Sequence, residues 1–513
     1  MWSFYTWTLF LFTGLITAVF FYVKSQFSFW SRRGVHCRKP HWFFGSLGDF
    51  QAGKLALPEL LLDLYKESKG QRFAGIWEFY SPELVVLSPD LIQDILVRDF
   101  ATWSSRGVTV NLDVDPLAAN LVNLDGKKWK VVRSKLTPTF TSGKLKLMQN
   151  LLLECSREFM DHLNRVTTTD QMVEVRELSA KYSTDVIGSC IFGIQMNSLR
   201  DENSIFREIG KKIFPSSRIK TICKTVQLHF PWLFRLLKLS TRTREVTEFF
   251  ISLTKANFKY REEKNERRND FMDLLRDLKN TEEPIDEDDI EFNDELLAAQ
   301  AFIFFGAGFE TSSSTLSFCL HELAANKNLQ DRLRDEVRRT KAKMDGDITW
   351  DGLRDMKYLD MVFQETLRKY PPLPILVRTS VKPYRIPDTD VVLPEGTGCV
   401  VPIYALHHDP EYYPDPQKFD PERFAEKRKS QRSPFTYLPF GGGPRICIGL
   451  RFAEQQVKLS IFQLIDNFEI SLCEKSKHPL QLNHKAGFLQ PIGGIWLRLS
   501  RSTVSNSSVR SDK

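Results

Sequence analysis

The chain opens on an apolar run with no charge in it. Trp2 to Val23 spans 22 residues without a single charged side chain. As a helix at ~1.5 Å per residue this run would reach ~33 Å, enough to cross a bilayer. Aromatic residues crowd the segment and its exit: Trp2, Tyr5, Trp7, Tyr22 and Trp30. Membrane interfaces favour such residues. A cleaved signal peptide fits poorly, because the run lacks a basic start, is too long and ends without an A-x-A-like site. Lys24, Arg32, Arg33, Arg38 and Lys39 follow it. By the positive-inside rule they keep the rest of the chain in the cytosol. The expected organisation is a transmembrane signal anchor over 1–24, a basic neck or hinge over 25–48, one large domain over 49–503 and a flexible tail over 504–513.

Within the body, helical periods dominate. Ser88-Pro89-Asp90 is a helix start, with Ser as cap and Pro at the first position. Ile92, Ile95, Leu96 and Phe100 follow at helical spacing. Residues 298–320 are apolar on all sides, which predicts a buried central helix. Residues 450–465 predict another, with Phe452, Val457, Ile461 and Leu464 on one face. In 359–370, Leu359, Val362, Phe363, Thr366 and Tyr370 share a face. Glu365 and Arg368 fall opposite them, which by periodicity alone predicts a solvent-exposed pair worth ~0.2–0.5 kcal/mol. Extended pieces are short, as at Leu84 to Leu87 and Val391 to Leu393. The expected class is mainly α with small β-sheets. The mixed-sign stretch Lys259 to Asp294 reads as a solvated helix end and loop.

Composition narrows the function. Of 513 residues, 42% are apolar and 26% charged, with a net charge of +7. A large core is available, and no dense basic tract calls for nucleic acid. The eight cysteines are scattered, without C-x-x-C or zinc-type spacing. Most read as buried thiols in a reducing compartment.

Cys447 differs from the others. Residues 437–449 read YLPFGGGPRICIG. Gly441, Gly442 and Gly443 let the backbone turn tightly beside a flat ligand. Cys447 stands at the start of a predicted helix, where free N–H groups stabilise negative charge. A phosphate-binding loop is excluded, since no G-K-[ST] follows. A second site lies in the central helix. Gly306 and Gly308 each cost about 1 kcal/mol in a helix interior, and Glu310 and Thr311 add polar groups to the same turn. Small residues beside a polar pair make sense if a ligand lies on the backbone and needs protons. Thr311 can bond back to a carbonyl one turn earlier and open a local groove.

Phe440, Gly443, Arg445, Cys447 and Gly449 form F-x-x-G-x-R-x-C-x-G, which resembles the haem-binding signature of the cytochromes P-450. Ala307 to Ser312, AGFETS, resembles that superfamily's [AG]-G-x-[DE]-T-[ST] element. Trp129 and Arg133 form W-x-x-x-R, Glu365 and Arg368 form E-x-x-R, and Pro421 to Phe424 read PERF. Residues 115–144, 367–374 and 407–424 are closest to the insect microsomal enzymes of the sixth family. Two departures stand out. The proline-rich hinge is reduced to Lys39-Pro40 and 45–48, and Gly442 sits where that family often carries an acid.

The resemblance implies the P-450 fold, with haem between a long central helix and the cysteine loop. It implies haem b ligated by Cys447 and contacted by Phe440, Gly443, Gly449, Ala307 and Gly308. Trp129, Arg133, Arg378 and Arg445 would hold its propionates. Thr311 would steer protons to iron-bound oxygen, with Glu310 helping to relay them. Glu365, Arg368 and Arg423 would form a buried charge network behind the loop. Electrons would come from NADPH through cytochrome P-450 reductase, with cytochrome b5 as a further donor, docking near Lys127, Lys128 and Lys130. The implied activity is insertion of one oxygen atom of O2 into lipophilic foreign compounds at the endoplasmic reticulum membrane. The alternatives are an endogenous lipid or hormone hydroxylase, a haem-thiolate isomerase or dehydratase, and a non-catalytic haem or sterol binder. The pocket is expected from 103–123, 205–230, 371–377 and 487–490.

Overall fold

The apolar N-terminal run folds as α1 (Trp2–Phe27), exposed from Phe4 to Tyr22. At ~1.5 Å per residue it is ~39 Å long, and it is apolar enough to cross a membrane. This computed structural model describes residues 2–213, 218–268, 270–280, 291–344, 347–483 and 488–502. The expected tail over 504–513, the acidic part of the polar stretch at 281–289, and Gly487 lie outside the described residues.

The chain after α1 does not form a free neck. Trp30 is fully buried, and its Nε1–H donates to the Ile76 carbonyl at 2.9 Å. A Cβ on Gly75 would lie 2.3 Å from the Trp30 ring, so that glycine opens the slot the indole fills. Trp77 Nε1–H donates to the Gln26 carbonyl at 3.0 Å. The expectation of Trp30 as an interfacial residue in a hinge over 25–48 is therefore corrected. The start of that segment is packed into the body.

Among the described residues, nine short strands follow: β1 (Phe73–Glu78), β2 (Ser81–Val86), β3 (Met172–Glu174), β4 (Leu376–Thr379), β5 (Tyr384–Arg385), β6 (Val392–Leu393), β7 (Gly398–Val401), β8 (Phe468–Leu472) and β9 (Trp496–Arg501). They make sheets of order β1-β2-β7-β4, β3-β9-β8 and β5-β6. In the first sheet β2 and β7 run parallel, while β1 and β4 pair antiparallel at the edges. The predicted start at Ser88 holds: its Oγ accepts the Leu91 N–H at 3.4 Å, with Pro89 first in the helix.

The helices that position the site are α2 (Gly126–Leu136), α3 (Val175–Ile187), α4 (Asp294–Ala325), α5 (Lys357–Lys369) and α6 (Leu450–Asn467). The 32-residue α4 is the central helix. Asn293 caps it, accepting the Leu296 N–H at 2.9 Å. It packs closely along α3, and a Cβ on Gly308 would lie 2.4 Å from Ile187 Cδ1. α5 is buried from Val362 to Arg368. Periodicity failed at Glu365 and Arg368 because the Pro421–Phe424 turn covers the face left polar. Both side chains are fully buried. The result is a mainly helical body with small sheets.

Candidate active site

The cysteine loop is shaped by its backbone. The Cys447 N–H donates to the Phe440 carbonyl at 3.0 Å, closing the turn. Gly443 has φ +68°, and a Cβ there would lie 1.9 Å from the Leu96 carbonyl oxygen. That glycine is thus demanded by the neighbouring chain, not by a ligand. Gly449 is different: a Cβ on it would meet no protein atom within 4 Å. It precedes α6 as its cap residue. Cys447 is exposed, but to an interior cavity. That enclosure pushes its thiol up, while the Gly449 N–H, Arg133 and Arg106 favour the thiolate.

The cavity offers about 1250 Å³ of unfilled space, its opening to solvent included. Cys447, Phe440 and Arg445 line it from the loop, Ala307 and Thr311 from α4, and Trp129 and Arg133 from α2. Much of the remaining wall is apolar, including Leu121, Val122, Ile303, Phe304 and Leu373. Pocket residues thus come from 103–123 and 371–377, as expected. No described residue of 205–230 or 488–490 lines the cavity.

Four arginines gather at one side. The Arg445 guanidinium lies 4.4 Å from the Trp129 ring centroid. Its Nη2–H donates to Asp125 Oδ1 at 2.7 Å and to the Leu124 carbonyl at 2.8 Å. Among the described residues, its buried Nε and Nη1 have no partner, nor does Nε of Arg378. Arg378 is 2% exposed in β4, behind the cavity wall. Arg106 also lines the cavity and was missed by sequence reasoning. Its Nη1–H donates to the Val122 carbonyl at 2.9 Å, and its own N–H to Asp125 Oδ1 at 3.3 Å. The signal for it was the Arg-Gly step in the 103–123 loop: Gly107 has φ +68°, and a Cβ there would lie 2.3 Å from Thr379 Oγ1. Burial pulls Arg106, Arg378 and Arg445 down to about 10 each.

On α4, the Thr311 hydroxyl donates to the Ala307 carbonyl at 2.7 Å, as its helical position predicts. Its oxygen lone pairs remain available on the cavity side. Two residues of the same turn point elsewhere. Gly308 faces Ile187 and α3, so it is not a cavity contact. Glu310 is 6% exposed and turned away from the cavity. Its Oε1 accepts from Arg176 Nη2 at 2.5 Å and from Gln490 Nε2 at 3.0 Å. Helical geometry explains both: 307 and 311 share a face, while 308 and 310 lie to its sides.

Behind the loop, Arg368 donates to Glu365 through Nε at 2.7 Å and Nη2 at 2.9 Å. Arg423 Nε lies 3.4 Å from Glu365 Oε1. The three expected members are thus brought together, with the Arg423 link the looser one.

The chain is similar in sequence to known proteins over most of its length. The cytochrome P450 family model matches residues 35–498. Cytochrome P450 6k1 of Blattella germanica is 40% identical over 509 residues, covering 96% of this chain and 97% of that protein. Probable cytochrome P450 6a13 of Drosophila melanogaster is 40% identical over 481 residues, covering 93% and 96%. Cytochrome P450 6A1 of Musca domestica is 38% identical over 491 residues, covering 94% and 96%. With a cysteine loop facing a central helix across one cavity, and with relatives matched over nearly their full length, the chain belongs to the cytochrome P450 family of haem monooxygenases.

Proposed function

We propose that this protein oxidises lipophilic foreign compounds at the endoplasmic reticulum membrane, using electrons from NADPH delivered by a flavin reductase. The observation that carries the reading is one largely apolar cavity with a cysteine sulfur, a threonine hydroxyl and partnerless guanidinium N–H groups in and behind its wall. Haem b fits that site. Arg445 and Arg378 keep buried donors unpaired, and Arg106 adds a third depressed cation beside Asp125. Two propionates would supply the acceptors and the negative charge these groups lack.

When bound, haem supplies the activation of dioxygen and the transfer of one oxygen atom to substrate. The residues supply the rest. Cys447 would hold iron through its sulfur, and the Gly449 N–H favours the charged form of that thiol. Trp129, Arg133, Arg378 and Arg445 would hold the propionate side, joined by Arg106. Phe440 and the apolar wall orient a lipophilic substrate and exclude water. Thr311, on the cavity face of α4, would hold and pass a proton through its Oγ1. A relay role for Glu310 requires its pair with Arg176 to open first. Lys127, Lys128 and Lys130 are exposed on the outer face of α2, whose inner face carries Trp129. They suit an acidic electron donor, the reductase or cytochrome b5.

The deciding experiment combines purified protein, reductase, NADPH and a panel of lipophilic compounds chosen by displacement of the ferric spin state. NADPH consumption in step with hydroxylated product is expected. Turnover without NADPH would mean an isomerase, and haem without turnover a binding protein. Preference for an endogenous lipid would overturn the foreign-compound assignment.

Two further outcomes follow from these placements. Thr311→Ala should keep haem and substrate binding but lose product per NADPH several-fold, with peroxide accounting for the difference. An unchanged ratio would make Thr311 structural only. Deleting residues 2–22 should move much of the protein to the soluble fraction with haem retained, because Val23 and Trp30 stay in the body. Unchanged carbonate-resistant insertion would contradict α1 as the membrane span.

A further inference from the structure

The histidine that begins the 407–424 segment ties α5 to the cysteine loop through its two ring nitrogens. The carbonyls of Leu367 and Arg368 would take N–H groups from residues 371 and 372, but both are proline and have none. His407 fills that gap. Its Nδ1 lies 3.1 Å from the Arg368 carbonyl, and the Leu367 carbonyl acts on the same ring. On the other side, the Leu438 N–H donates to His407 Nε2 at 3.0 Å.

These partners fix the tautomer. A carbonyl only accepts, so Nδ1 carries the proton. A backbone N–H only donates, so Nε2 is bare. His407 is fully buried, and burial holds the imidazole neutral, the state this pattern requires. The ring also stacks on Tyr437, with centroids 5.3 Å apart. The Tyr437 hydroxyl donates to the Gln364 carbonyl at 2.9 Å, a second tie between the loop entry and α5.

Leu438 is where the cysteine loop begins. With its N–H held by His407, its carbonyl accepts the Gly441 N–H at 3.0 Å. Two residues on, the Phe440 carbonyl holds the Cys447 N–H. A continuous chain of hydrogen bonds and short backbone links therefore runs from α5 through the imidazole to the amide of the cysteine.

We propose that His407 is a positioning residue for Cys447: its bare Nε2 anchors Leu438 and so keeps the sulfur in the geometry that binds iron as thiolate. The proposal rests on Cys447 being the iron ligand. Three variants separate the two ends of the ring. His407→Asn keeps a donor near the Arg368 carbonyl and drops the reach to Leu438. His407→Gln can present an acceptor to the Leu438 N–H. His407→Phe loses both.

The readouts are haem per polypeptide, thermal unfolding, and the rate at which the reduced CO complex loses its red-shifted thiolate band. Asn and Phe should accelerate that loss about tenfold, the scale of one hydrogen bond to a buried group, and Gln should restore much of the lifetime. If Asn and Phe, folded and haem-loaded, keep the wild-type lifetime, the proposal fails. It also fails if all three lose stability together while the band lifetime stays unchanged, since His407 would then be structural only. A wild-type protein without the thiolate band would instead remove the ligand assignment on which the proposal rests.

Discussion

Glu365→Ala should yield protein that unfolds at a much lower temperature and does not retain haem, although Glu365 is not among the residues that line the cavity. Its carboxylate is fully buried and accepts two N–H bonds from Arg368 and one from the Asp420 backbone at 2.9 Å. Arg423 stands beyond it at 3.4 Å. Removing the carboxylate leaves two guanidinium groups near one another in a dry interior, one of them with no exposure at all. Stranding a buried charge costs roughly 3–5 kcal/mol, a large part of a total stability of about 5–15 kcal/mol. Arg368→Ala should be as severe. Its guanidinium also donates to the carbonyls of His407 and Pro416, each at 2.9 Å. Arg423→Ala should be milder, since Arg423 mainly holds the carbonyls of Pro414 and Asp415. Thermal denaturation and haem content of the purified variants check this order. If Glu365→Ala or Arg368→Ala accumulates with near-normal stability and full haem, the network does not hold the loop.

The pair also shows how far a sequence carries. Helical period placed Glu365 and Arg368 on the solvent side, because the face they share is polar. A turn some 55 residues later in the chain covers that face, and periodicity within one helix contains nothing about it. The motif resemblance supplied what the period could not. The same holds for the glycines. Gly308 and Gly443 were read as making room for a ligand, yet each makes room for its own protein, the Ile187 side chain and the Leu96 carbonyl. A motif records that a glycine is needed without recording what would strike a side chain there.

Elsewhere local chemistry sufficed. The Ser88 cap, the bond from Thr311 back to Ala307 and the uncharged run of α1 all follow from neighbours within a turn or two. Trp30 did not, because its slot is made by Gly75 on β1. The orientation of Glu310 was hidden for a like reason: its partners Arg176 and Gln490 come from distant parts of the chain. Arg106 was hidden in a loop with no period to read.

The cysteine is the centre of the account. Cys447 lies in a loop fixed by Gly443 and by its own N–H to Phe440, with its sulfur open to the cavity, where the Gly449 N–H favours the thiolate. Cys447→His should fold, since the residue faces open space, but it should lose the thiolate spectrum and all monooxygenase activity. The most direct measurement is the difference spectrum of the reduced, CO-bound wild-type protein set against this variant. The wild type should show the red-shifted Soret band of thiolate ligation, and Cys447→His should lack it. A wild-type band at the position of a histidine-ligated haem, or a thiolate band that survives in the variant, would contradict it.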